Sequence, residues 1–260
     1  MPLRSPTLSD FPSTLTLTIT PPPPTTTTSP TRPPPNVLIL LHGLGDTSTN
    51  FTSFARALNL PETTILTIQA PTPLPFDLGG FHWGDDVTFD SATGDLDMDA
   101  GFTRSTQLLA QEVIARTLVD KCGYRLREIL IMGVGQGGMV GLVVAGEVGK
   151  KKDHNNNNNQ EERALAGVVS IGAPYPLSGS TLGEKNRTPV LLVAGRDSRA
   201  VGDGAVRRTK GGFEFVEVHR YQRRGDGMPK SREEMLPVMQ FLARRLRSWQ
   251  GVPEGSVEIT

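Results

Sequence analysis

The sequence predicts an α/β fold: a mostly parallel central sheet with helices on both faces. Three observations predict it. Short apolar runs of strand length recur, several apolar at every position, as in strands covered on both faces. Segments with helical spacing of apolar residues separate them. The run Ile129-Leu-Ile-Met132 ends in a glycine turn that opens a second apolar segment, a strand–turn–helix unit.

Residues 14–20 (TLTLTIT) alternate with period two and are β-branched, which predicts a half-exposed strand at a sheet edge. The proline- and threonine-rich stretch 21–35 predicts an extended loop, and its tandem prolines would suit a proline-recognition groove. Residues 36–42 are the next strand and run into Gly43-Leu44-Gly45-Asp46. Phe51, Phe54, Ala55 and Leu58 then recur at helical spacing, and residues 64–68 form a further strand.

The stretch 71–101 has little periodicity and holds Phe81-His82-Trp83-Gly84-Asp85-Asp86 and Asp95-x-Asp97-x-Asp99. A loop of that length is often a lid or binding loop. A calcium loop is disfavoured, because the twelfth residue from Asp95 is Thr106 where glutamate is needed. These aspartates are expected in a solvated loop and at a helix N-terminus.

Residues 107–119 carry Leu108, Leu109, Val113, Ile114 and Leu118 on one side, an amphipathic helix. After the glycine turn, residues 139–148 read as a helix and 150–163 as an exposed polar insertion. Two more buried strands follow at 164–171 and 189–194, and the alternating stretch 213–219 is the last strand. The final helix turns Met235, Val238, Met239, Leu242 and Leu246 inward. Ser231 and Glu234 fit a capping box, although Pro237 then lies within the helix. The domain reading is a mobile N-terminus at 1–13, one domain at 14–249 and a loose tail at 250–260.

The chain has 260 residues, with 27 basic and 27 acidic side chains. That suits one domain with a full core and gives no reason to expect nucleic acid or an acidic membrane as partner. The single cysteine, Cys122, excludes an internal disulfide and fits a reducing compartment as a small buried side chain. No apolar stretch reaches the ~20 residues of a membrane span or forms a signal-peptide core, so a cytoplasmic protein is expected.

The turn Gly133-Val134-Gly135-Gln136-Gly137-Gly138 fits two patterns. As Gly-x-Gly-x-x-Gly it would bind a dinucleotide, but that needs an acidic residue about 20 positions on at a strand end. The nearest, Asp153, lies in the Lys/Asn-rich insertion. As Gly-x-Gly-x-Gly it has the spacing of the Gly-x-Ser-x-Gly nucleophile elbow, with glycine where the serine stands. The simplest alternative is that the glycines only permit tight strand–helix packing.

With Leu41-His42-Gly43-Leu44-Gly45-Asp46 ahead of that turn, the chain resembles the phospholipase/carboxylesterase family of α/β-hydrolases, which includes acyl-protein thioesterases. Within it the chain is similar to a divergent fungal branch. Residues 166–176 look like the segment that follows the elbow, and the order of elements agrees from Val37 to Leu246.

The resemblance implies an α/β-hydrolase fold and an oxyanion hole from the backbone N–H groups of Leu44 and Gln136, donors that survive side-chain change. It implies Gly135 at the nucleophile position and Asp197 at the acid position, with Ser198 as the alternative by a one-residue shift. The histidine position falls in residues 224–229, where Asp226 is the occupant. His219 lies within the last strand and His42 in the oxyanion turn, both read as structural; His82 lies in the long loop and His154 in the insertion.

A serine nucleophile needs a base to remove its proton, and both are missing here. The expectation is a family hydrolase of acyl esters or thioesters, weak or inactive. The rival is a pseudo-hydrolase binding an acyl ligand or a protein partner. Neither reading involves a cofactor or metal.

Overall fold

The apolar runs become the middle of one sheet in the computed structural model, which describes residues 2–24, 32–75, 78–89, 94–150, 163–179, 183–253 and 256. In chain order the elements are β1 (Leu17–Thr20), β2 (Asn36–Leu41), α1 (Ser48–Leu58), β3 (Thr63–Ile68), β4 (Thr72–Pro73) and β5 (Phe81–His82). Then come α2 (Thr103–Gln107), a π-helix (Leu108–Lys121), β6 (Ile129–Val134), α3 (Gln136–Val148), β7 (Gly167–Ile171) and β8 (Val190–Ala194). The last are α4 (Asp203–Gly212), β9 (Val216–Arg220) and α5 (Arg232–Ala243).

Seven strands pair in the order β1-β3-β2-β6-β7-β8-β9, and only β1 runs antiparallel to its neighbour. Every residue of β2, β3, β7 and β8 is buried, as continuous apolar runs require. Alternating β1 is half-buried throughout and sits at the edge. Side chains sort by pleat: Val37, Ile39 and Leu41 face the π-helix and α3, whereas Leu38 and Leu40 face α1 and α5. The register sets Leu41, Gly133, Ser170, Leu192 and Val218 in one row across five strands. The loops that follow these strands therefore gather at one edge, where open α/β sheets place their ligands.

Several expectations need correction. The helix expected at 107–119 begins as α2 and continues as the π-helix, with the Cys122 N–H donating to Thr117 O at 3.0 Å, five residues back. Its buried residues form two adjacent rows at intervals of four, Leu109, Val113 and Thr117 beside Ala110, Ile114 and Leu118. The last strand is Val216–Arg220, later than 213–219, because Phe213 turns fully into the core. Helix α4 had no apolar stripe to announce it; only Thr209 and Gly212 are buried.

The N-terminal stretch expected to be mobile makes defined contacts. Arg4 pairs with Asp10 at 2.6 Å, the Lys121 ammonium donates to Asp10 O at 2.7 Å, and Phe11 is buried. Ser231 caps α5 by accepting from the Glu234 N–H. The Glu234 carboxylate accepts from Lys230 N at 2.8 Å, so the box is half formed. At the other end of β2, the Asn36 side chain exchanges two 2.8 Å hydrogen bonds with the Arg247 backbone, and Trp249 Nε1 donates to Pro33 O. The insertion at 150–163 and the tail at 250–260 lie largely outside the described residues. Among those described, no helix is long and apolar enough to cross a membrane, and no His/Cys/Asp/Glu group is arranged to hold a metal.

Candidate functional site

The site is built first from backbone. Gly135 stands between β6 and α3 with φ 51° and ψ −121°, a region that L side chains rarely enter. Its N–H donates to Ile171 O at 2.8 Å, and its C=O accepts from Gly138 N and Met139 N. The neighbouring glycines have another job. A Cβ at Gly133 would collide with the Gly137–Gly138 backbone, and one at Gly137 with the carbonyls of Leu41 and His42. So the packing account explains Gly133 and Gly137, and Gly135 is set apart by its conformation and half-exposed position.

A Cβ at Gly135 would meet only the Met98 methyl, at 3.0 Å. Met98 comes from the long loop, which is therefore laid over the elbow tip. Gln136 ties the two together: its buried side-chain oxygen accepts from Trp83 N at 2.7 Å and its amide nitrogen approaches Met98 O at 3.4 Å. Asp99 fixes the far side of the loop, accepting from the Leu177 N–H at 2.5 Å and from the Ser178 hydroxyl.

The turn Gly43–Asp46 is held by its neighbours. Gly45 N donates to Phe81 O at 2.9 Å and Phe81 N to Asp46 O at 3.1 Å. His42 is fully buried; its Nε2 accepts from Ala70 N at 3.0 Å, which leaves Nδ1 as the donor to Gly43 O at 2.7 Å. Burial lowers its pKa, and this neutral ring is structural. Trp83 Nε1 donates to His42 O at 2.8 Å. Among the described residues, the backbone N–H groups of Leu44 and Gln136 have no acceptor.

The loops after β8 and β9 meet at Gly195–Ser198 and Gly225–Asp226. Asp226 accepts from Gly195 N at 2.8 Å through one oxygen and from the Ser198 hydroxyl at 2.7 Å through the other. It lies beside Gly172, where a Cβ would be 2.9 Å from that of Asp226, so it borders the residue after Ile171, the acceptor of the Gly135 N–H. Asp197 faces solvent; it accepts from Gly225 N at 3.0 Å, which lowers its pKa. Ser198 is thus the residue of the loop after β8 whose side chain hydrogen-bonds Asp226.

The loop carrying Asp226 is wound round Arg223. Its guanidinium donates to Met228 O at 2.7 Å and Gly225 O at 3.2 Å, pairs with Glu234 at 2.8 Å and covers the Tyr221 ring. His219 stands half-buried edge-on to Tyr221.

Sequence reasoning missed Met98, the clamp through Trp83 and Asp99, and the Ser198–Asp226 pair. The anion at the start of α2 is Asp85, not the 95–99 run. Burial opposes ionisation of Asp85, but the Arg104 and Thr103 amides outweigh it and lower its pKa.

The Phospholipase/Carboxylesterase family profile matches residues 24–210. An uncharacterized hydrolase of Schizosaccharomyces pombe is 28% identical over 86% of this chain and 89% of its own. One of Mycosarcoma maydis is 35% identical over 61% of this chain and 55% of its own. Among solved structures, the esterase PE8 superposes with a TM-score of 0.66 at 16% identity, over 89% of this chain and 99% of its own. Zea mays acyl-protein thioesterase 2 does so with a TM-score of 0.58 at 23% identity and the same coverage. The fold is that of the α/β-hydrolases, and the chain belongs to the phospholipase/carboxylesterase family.

Proposed function

We propose that this protein is a phospholipase/carboxylesterase-family hydrolase whose elbow supplies no nucleophile, so that it turns over acyl esters or thioesters weakly or not at all. The observation that carries the reading is Gly135. It has a positive-φ backbone that would strain a residue with a side chain, and it carries no side-chain oxygen. Loss of a nucleophile alone typically costs on the order of a millionfold in rate. Asp226 supports the reading, because both its oxygens are engaged with Gly195 and Ser198. Ser170, near the end of β7, is buried and donates to Ala173 O at 2.5 Å, which suits a structural hydroxyl. The acceptor-free N–H groups of Leu44 and Gln136 favour a second reading, a non-catalytic protein that binds an acyl carbonyl or a protein partner. Buried Cys122 suits a reducing, cytoplasmic setting for either.

A fluorophosphonate probe should leave the purified protein unlabelled; stoichiometric labelling of any serine overturns the proposal. Gly135→Ser combined with Asp226→His should hydrolyse a short-chain nitrophenyl ester faster than the product of the two single effects, since nucleophile and base act as a unit. Effects that merely multiply would show that the two positions do not face each other.

A further inference from the structure

Two residues hold the long loop to the elbow, and a buried histidine stands between them. Phe81 exchanges backbone hydrogen bonds with Gly45 and Asp46, and Trp83 N donates to the Gln136 side chain. His82 is 2% exposed, and its Nδ1 is buried with no hydrogen-bond partner among the described residues. We propose that His82 is an acid-sensitive latch: when its ring gains a proton, residues 81–83 leave the turn at 43–46 and the Gln136 side chain, and the elbow is uncovered.

The argument begins with the ring nitrogens. Neutral imidazole carries one N–H, and its other nitrogen is a lone pair. The imidazolium ring carries an N–H on both. At His82 the added Nδ1–H would be a charged donor buried without an acceptor, which is far costlier than an idle lone pair. Water is the remedy, and the ring reaches it as the β4–β5 ribbon loosens. That ribbon has two residues on each strand, with His82 opposite Thr72, a pairing of marginal stability.

The charges around the ring do not remove this cost. Burial opposes the proton most, and Arg104 of α2 adds to it; Asp86 and the Gly84 carbonyl favour the proton, but the net effect lowers the pKa. Asp86 is exposed and accepts from Val87 N at 2.7 Å. Asp85 is engaged by the Thr103 and Arg104 amides, and Asp46 by Thr47 N and Asn50. Strand β4 brings only Thr72 and Pro73.

The latch reaches the elbow through Gln136. Its oxygen holds Trp83 N, its nitrogen approaches Met98 O at 3.4 Å, and the Met98 methyl covers Gly135. Release of Trp83 frees Gln136 and loosens Met98. The device is the same whether or not the elbow turns over an ester.

The closed loop resists the proton and the open loop takes it in the usual imidazole range. The open fraction should therefore rise up to about tenfold per pH unit below that range, until the buried ring itself titrates.

The test is hydrogen exchange of the full chain at pH 7.5 and 5.5, corrected for the intrinsic rate at each pH. Peptides over 81–87 and 94–99 should exchange faster than β2 at both pH values, and should lose about tenfold in protection at the lower one. His82→Gln should abolish that loss, even if it loosens the loop at both pH values. In His42→Asn the loss should remain. In the unaltered protein, the His82 ring followed by NMR should titrate below the usual imidazole range. The proposal is overturned if protection at 81–87 is the same at both pH values, or if the loop opens no faster than β2. It is also overturned if the pH effect survives in His82→Gln or vanishes in His42→Asn, or if the His82 ring titrates in the usual range. None of these results bears on the absence of a nucleophile at Gly135, whose test is covalent labelling.

Discussion

The elbow and the loop after β9 sit on the same edge of the sheet and are built in opposite ways. The elbow is backbone: glycines pressed against carbonyls, with Gly135 held at positive φ by hydrogen bonds from both its peptide groups. The loop is side chain: Arg223 gathers its carbonyls, and Asp226 straps it to Gly195 and Ser198. A frame of backbone keeps its shape whichever side chain the tip carries. A loop held by its own polar side chains takes its shape from them, and Asp226 serves there as a strut.

Substitutions can break this contrast, and the largest effect should come from Gly137→Ala. Alanine gains about 1 kcal/mol of helix propensity over glycine, but the new Cβ lies 2.5 Å from Leu41 O, with backbone on both sides. Overpacking against backbone that cannot yield should cost about 4 kcal/mol net, read as a fall in the urea midpoint. A variant as stable as the parent would show that α3 can slide off β2.

Arg223→Ala comes next. It removes a partly buried ion pair with Glu234 and the carbonyl contacts at the centre of the loop. A loss of about 3 kcal/mol is expected. Hydrogen exchange should quicken across 224–231 and stay slow at 133–139. Equal quickening at both places would end the contrast.

A third expectation concerns pH. The folded state depresses the His42 pKa, so the stability tied to its neutral ring is complete above the usual imidazole range and is lost as pH falls through that range. The added slope is at most about 1.4 kcal/mol per pH unit. His42→Asn should flatten the fall of the urea midpoint between pH 7 and 5; an unchanged slope would show that His42 protonates freely in the fold.

Gly135→Ser should be the mildest. Serine at φ 51° is strained, and the Met98 methyl must move from 3.0 Å, but that is the end of a flexible side chain. The cost should be about 1 kcal/mol, partly relieved by Met98→Ala. A cost near that of Gly137→Ala would mean that the tip has no room for a side chain.

The sequence showed most of the fold because burial on both faces leaves a plain mark. The runs in β2, β3, β6, β7 and β8 are almost wholly apolar or β-branched, and nearly every residue in them is buried. Helix α4 left no such mark, since it buries almost nothing. The π-helix was legible as a helix but not as a wide one, because buried rows at intervals of four also fit an α-helical stripe. At the site, the strand–turn–helix path through residues 129–148 could be read from the apolar run and the glycine spacing. Met98 could not. It reaches the elbow through a loop with no period, and only the folded positions of Asp99 and Ser178 bring it there. The Ser198–Asp226 hydrogen bond could not be read either, because the two residues lie 28 positions apart on different loops.

The tie between Asn36 and Arg247 has a consequence for how the chain is made. Asn36 opens β2, the first central strand to leave the ribosome, but its side chain pairs with backbone 211 residues later. At about 5–20 residues per second, that partner appears roughly 10–40 s after the strand. Trp249 reaches back to Pro33 over 216 residues in the same way. The sheet therefore waits, unfastened at one end, until residues 247–249 have been made. A nascent chain halted before Arg247 should stay sensitive to protease near Asn36, and its release should be what closes the fold.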